Sequence, residues 1–102
     1  MKEIKATLYK IDGSNEPLIL TSKTSLETLQ KLVGGYIEII CIVDLKGSLN
    51  PDAILEKDLV INEEGLLLDL PINPWSHFVG RNSIWQFEQF RGDIILIEGR
   101  LP

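Results

Sequence analysis

From Ile4 to Lys10 the chain alternates apolar and polar side chains, the two-residue period of a strand with one buried face. Asp12-Gly13-Ser14-Asn15 is turn chemistry, because Gly adopts positive φ and Asx side chains bond their own backbone. Leu18 to Thr21 reads as the return strand of an N-terminal hairpin. Pro17 has no N–H to donate, so it belongs at the edge or the first position of that strand. Next comes Thr24-Ser25-Leu26-Glu27, the pattern of a capping box. Leu26, Leu29, Leu32 and Val33 follow at helical spacing, and Gly34-Gly35 supplies a left-handed stop. A helix this short needs a sheet under its leucine face.

Tyr36 to Val43 is apolar on both alternating faces except at Glu38. Such a strand is central and covered twice, or covered once with its other face in an interface. Asp44 to Asp52 reads as a loop. Asp58 to Ile61, the turn Asn62-Glu63-Glu64-Gly65 and Leu66 to Leu68 read as a second hairpin. Leu70-Pro71-Ile72-Asn73-Pro74 interrupts regular structure twice. Asn73 can then cap a helical turn over Trp75 to Val79. Asp93 to Ile97, bracketed by Gly92 and Gly99, is the last strand. The predicted order is β-β-α-β-β-β. This is an α+β domain over residues 1–102, a mostly antiparallel sheet with one main helix, and a β-grasp-like topology is the most economical arrangement.

Fifteen acidic against ten basic side chains give a net charge of -5 over 102 residues. Sequence-blind nucleic-acid binding needs Lys and Arg to replace condensed counterions, so no direct nucleic-acid contact is expected. The single cysteine, Cys41, closes no intramolecular disulfide and fits a reducing interior. No apolar run has the length of a membrane helix, and Met1 to Lys5 lacks the apolar stretch of a signal peptide. The expectation is a soluble protein without membrane contact.

The segment Leu26 to Glu38, with Gly34-Gly35-Tyr36-Ile37-Glu38 at its end, resembles a family of small proteins of phages, plasmids and bacterial genomes catalogued as a domain of unknown function. Its further pattern is matched by Asn62-Glu63-Glu64-Gly65, by Leu70-Pro71-Ile72-Asn73, and by the strand from Gly92 to Gly99. Residues 26–74 carry the likeness, the tail follows loosely, and Trp75 to Arg91 departs from it. The resemblance implies a mobile-element accessory protein acting in the cytoplasm of a bacterial host. It transfers no activity, cofactor or catalytic residue.

Chemistry-bearing residues are few. His77 is the only histidine, which leaves no His pair for zinc. Ser76 and His77 are neighbours in sequence and do not face each other on a helix. Cys41 reads as a core thiol, lacking the electropositive setting of a nucleophile. Gly34-Gly35 would let a phosphate approach the backbone, but at a helix C-terminus, the wrong end for an anion. Glu38 lies on an apolar strand face, where a carboxylate must be exposed, paired or part of a site. Glu63 and Glu64 are ordinary turn acids. All seven lysines precede residue 58, whereas Arg81, Arg91 and Arg100 fall within residues 75–102, with Trp75, Phe78, Trp85, Phe87 and Phe90. Arg with Trp is the pairing of interface hot spots and also of base stacking with phosphate recognition. The plain alternative is that the rings close the core. In an extended segment Trp85, Phe87 and Gln89 would share one face, and Ile84, Gln86, Glu88 and Phe90 the other.

The expected ligand-binding set is therefore Arg81, Arg91, Trp75, Trp85, Glu38 and Asn73, with no catalytic residue, metal or cofactor. The function expected is a non-enzymatic phage-type binding protein that counters bacterial immunity. Its sharpest form sequesters a small nucleotide-like signal between the protomers of a homodimer. The alternative is an inhibitor or regulator that docks on a host protein through the aromatic C-terminal segment.

Overall fold

The structure, a computed structural model, describes residues 3–21, 25–43, 56–80, 85 and 88–98. Thr24 of the capping box, Arg81, Arg100, Phe87, Gly99 and the 44–52 loop lie outside them. Within them the chain forms β1 (Glu3–Tyr9), β2 (Asn15–Thr21), α1 (Ser25–Val33), β3 (Ile37–Val43), β4 (Glu56–Asn62), α2 (Ser76–Gly80) and β5 (Ile94–Ile97). The five strands make one sheet in the order β2-β1-β5-β4-β3, and all its pairings are antiparallel. The α+β expectation holds at this level.

The predicted hairpin β1–β2 is present, with Thr7 opposite Pro17. Pro17 is tolerated because β2 is an edge strand and its missing N–H removes no second ladder. Gly34 ends α1 at φ 83°, and its amide and that of Gly35 both reach the Gln30 carbonyl. Because four reversals separate β2 from β3, these edge strands run parallel, and α1 carries the chain across one face between them. A β-grasp sheet instead pairs its first and last strands in parallel. Here β1 and β5 meet antiparallel, so that topology is not the one formed.

Two other expectations are corrected by strand pairing. Leu66 to Leu68 is not a strand returning along β4 but part of a run of turns. Both edges of β4 are already occupied, by β3 and by β5. Nor is β3 central and covered twice: it is an edge strand, and its Ile39 is 48% exposed. The middle strand is β5, whose Ile94, Ile95 and Ile97 have no accessible surface, each stabilising the fold by about 1.5–3 kcal/mol.

The sheet is covered on both faces. On one, Leu29 and Val33 of α1 pack on Ala6, Leu8, Leu20, Val60, Ile95 and Ile97. On the other, Tyr9, Ile40, Ile42, Leu59 and Ile94 are covered by Val79, Phe90, Trp75 and Trp85. The return from β4 to β5 thus acts as a third layer. The second face of β3 is only partly covered, with Ile39 48% exposed.

Candidate functional site

Of the six residues expected to form one site, Arg81 lies outside the described residues, and only three of the other five come together. Asn73 is 1% exposed and ties the third layer to the sheet. Its Nδ2 donates to the carbonyls of Tyr9 and Gly92, both at 2.9 Å, and its Oδ1 accepts from the Trp75 amide at 2.8 Å. It starts α2 as a cap, as predicted, while its own amide donates to the Phe90 carbonyl. The side-chain amide has no hydrogen left for a ligand, so Asn73 serves structure. Ser76 is buried beside it: its hydroxyl donates to the Asn73 carbonyl at 2.7 Å and accepts from the Phe90 amide at 2.9 Å. That use of the hydroxyl supports no Ser-His nucleophile.

Trp75 also works as a brace. Its indole N–H donates to the Gly13 carbonyl in the β1–β2 turn at 3.1 Å. Its ring lies 5.0 Å from that of Tyr9 and 5.4 Å from that of Phe78, the latter edge to face. These are stabilising aromatic geometries, worth about 0.5–1.5 kcal/mol a pair beyond burial.

Trp85, Arg91 and Glu38 do meet, in a groove of about 270 Å³ between β3 and the chain before β5. Its floor is Ile40, Ile61 and Phe90, and Glu63 and Glu88 join Glu38 among its walls. Trp85 is held by its indole N–H on the Cys41 carbonyl at 3.3 Å. A Cβ at Gly80 would run into the Trp85 carbonyl, so this close approach requires glycine at 80. Trp85 and Phe90 both pack on the sheet rather than on opposite faces of an extended segment. The Glu88 amide donates to the Trp85 carbonyl at 3.0 Å.

Arg91 is half-buried and already engaged: Nη1 donates to the Leu70 carbonyl at 3.1 Å and lies 3.4 Å from Asp69 Oδ1. The groove therefore presents three carboxylates, Glu38, Glu63 and Glu88, against one guanidinium in use. Glu63, read as an ordinary turn acid, and Glu88, read on one face of an extended segment, were not assigned to the site because neither position shows in sequence what folds beside it.

A second hollow of about 300 Å³ lies at the C-terminal end of α1, lined by Gln30, Gly34, Gly35, Tyr36, Asn62, Glu64 and Leu68. Asn62 shapes it: Nδ2 donates to the Val33 carbonyl at 3.1 Å, and Oδ1 accepts from the Glu64 amide at 2.8 Å. This is a carbonyl end with a carboxylate beside it, unsuited to an anion. Between the two hollows stand Leu66, Leu67 and Leu68, 74%, 85% and 53% exposed. Three leucines without alternation after a Gly turn were the available signal, read in sequence as a strand.

Among the described residues no helix is long and apolar enough to cross a membrane. The chain matches the sequence model of the domain of unknown function DUF3846 over residues 4–100. The chain belongs to that family. Neither the curated proteins nor the solved structures contain a match to it.

Proposed function

We propose that this DUF3846 protein is a non-enzymatic binding protein of phage or mobile-element type that acts in a bacterial cell by docking on a host protein. One observation carries the reading: the groove that unites Glu38, Trp85 and Arg91 is open, acidic and apolar-floored. At about 270 Å³ the groove lies at the small end of ligand pockets and has room for one or two side chains of a protein. Three carboxylates favour a Lys or Arg from the partner, whose aliphatic stem would lie on Ile40, Ile61 and Phe90.

The nucleotide-sequestering reading has one observation in its favour, the meeting of Trp85 with Arg91. Phosphates would have to approach three carboxylates and compete with Asp69 for Arg91. Three carboxylates lining one groove disfavour an anion there.

Native mass spectrometry of the tagged protein from infected host cells separates the two. The expected result is a retained host protein, released by Glu38→Gln with Glu88→Gln at an unchanged melting temperature. Retention of a nucleotide-sized mass, or a complex indifferent to the two carboxamides, refutes docking through this groove.

A further inference from the structure

We infer that the Leu66-Leu67-Leu68 turn is the anchor with which the protein engages its partner, and that it inserts into an apolar groove rimmed by Lys or Arg side chains. The inference rests on the protein-docking reading above and names the element and the partner's chemistry.

The turn is built, not loose. Leu68 N donates to the Glu64 carbonyl at 2.8 Å, Asp69 N to that of Leu66 at 3.1 Å, and Leu70 N to that of Gly65 at 2.9 Å. Asp69 takes the left-handed conformation at φ 52°. The last two bonds with that φ form a Schellman stop after a single helical turn. Both ends are tied to distant chain: the Glu63 amide bonds the Tyr36 carbonyl just before β3, and Arg91 holds the Leu70 carbonyl and Asp69.

A turn ordered this well has lost its backbone freedom already, yet its three leucines stay in water, 74%, 85% and 53% exposed. Single exposed leucines are ordinary in proteins, whereas a contiguous apolar patch marks an interaction site. Exposed Tyr36 extends the patch, sharing a hollow with Leu68. Preorganisation lowers the entropic cost of binding, so a rigid leucine knob is an efficient anchor.

Charge selects the occupant. Glu63, Glu64 and Asp69 flank the leucines within the turn, and Glu38 and Glu63 line the groove that Leu66 also borders. A second copy meeting this surface symmetrically would bring acidic rim to acidic rim. An anionic membrane surface would repel it. A partner groove rimmed by Lys or Arg matches both the leucines and the carboxylates.

The test titrates the protein, at physiological salt, with a fluorescent amphipathic helical peptide of Leu and Lys, which presents an apolar stripe between ammonium groups. The peptide is expected to bind, and Leu67→Ser with Leu68→Ser, neither of which lines the acidic groove, is expected to weaken it at least about tenfold while the melting curve stays in place. A peptide of equal charge with Ser for Leu is expected to bind far more weakly. Failure of the Leu/Lys peptide to bind, equal binding of the Ser peptide, or indifference to the two leucine substitutions each overturns the inference. So does leucine-dependent binding to phosphatidylglycerol vesicles, or leucine-dependent self-association in sedimentation equilibrium. Glu38→Gln with Glu88→Gln tells the two readings apart. If those changes release the host protein while the leucine changes do not, the groove stands and the anchor falls. If the leucine changes alone release it, the anchor stands and the groove reading falls.

Discussion

Replacing Asn73 removes the clamp between the third layer and the sheet. In Asn73→Ala the carbonyls of Tyr9 and Gly92 and the amide of Trp75 lose the partners they have at 2.8–2.9 Å. A buried polar group left without a partner costs about 1–3 kcal/mol. Three such groups, partly relieved by water entering the gap, set the expected loss at about 3–5 kcal/mol. That is a large share of the roughly 5–15 kcal/mol that stabilises a domain of this size. Urea unfolding, followed by tryptophan fluorescence, measures it as a shifted midpoint at constant slope. Asn73→Asp sharpens the test because it keeps the shape and the acceptor for Trp75. It sets a carboxylate oxygen where Nδ2 now meets two carbonyl oxygens. At neutral pH the loss should equal or exceed that of Asn73→Ala. A carboxyl so placed has its folded pKa raised, so the deficit shrinks as pH falls and the proton restores one donor. If Asn73→Asp unfolds within about 0.5 kcal/mol of the parent protein, the amide does not hold those carbonyls and the reasoning is wrong.

Leu29, 1% exposed at the centre of the α1 contact, should cost about 2–5 kcal/mol when changed to Ala, and a loss under about 0.5 kcal/mol in the same urea assay would detach α1 from the sheet. The Asp12 carboxyl titrates below its ordinary 3.8 because it accepts the Ser14 hydroxyl and amide. A depressed pKa stabilises the folded turn above the unfolded value and loses that contribution as pH falls through the lower one. NMR titration should therefore place its midpoint below 3.8, and Ser14→Ala should move it back up; an unmoved midpoint removes Ser14 as the cause.

What the sequence determined by itself is whatever neighbours decide. The β1–β2 turn, the stop of α1 at Gly34, the edge placement of Pro17 and the cap at Asn73 each depend on a few adjacent residues whose φ preference or side-chain oxygen acts on the local backbone. The last strand was readable as an apolar run between glycines, but its two-sided burial was not, having been expected of Tyr36 to Val43. Partner choice was not readable. Alternation says which side chains share a face, not which strand lies alongside or what covers that face. So Asp58 to Ile61 was assigned to Leu66–Leu68, when β3 and β5 take both of its edges. Trp85 and Phe90 were split between faces, when both pack on the sheet. Of the expected site, Glu38, Trp85 and Arg91 converge while Asn73 and Trp75 became structural braces. Glu38, Glu63 and Glu88 come from three separate stretches of chain, and only the insertion of β5 at the middle of the sheet draws the last of them up against β3. The acidic groove and the exposed leucines beside it are products of that long-range packing, because neither charge convergence nor exposure is a property of a residue's neighbours in sequence.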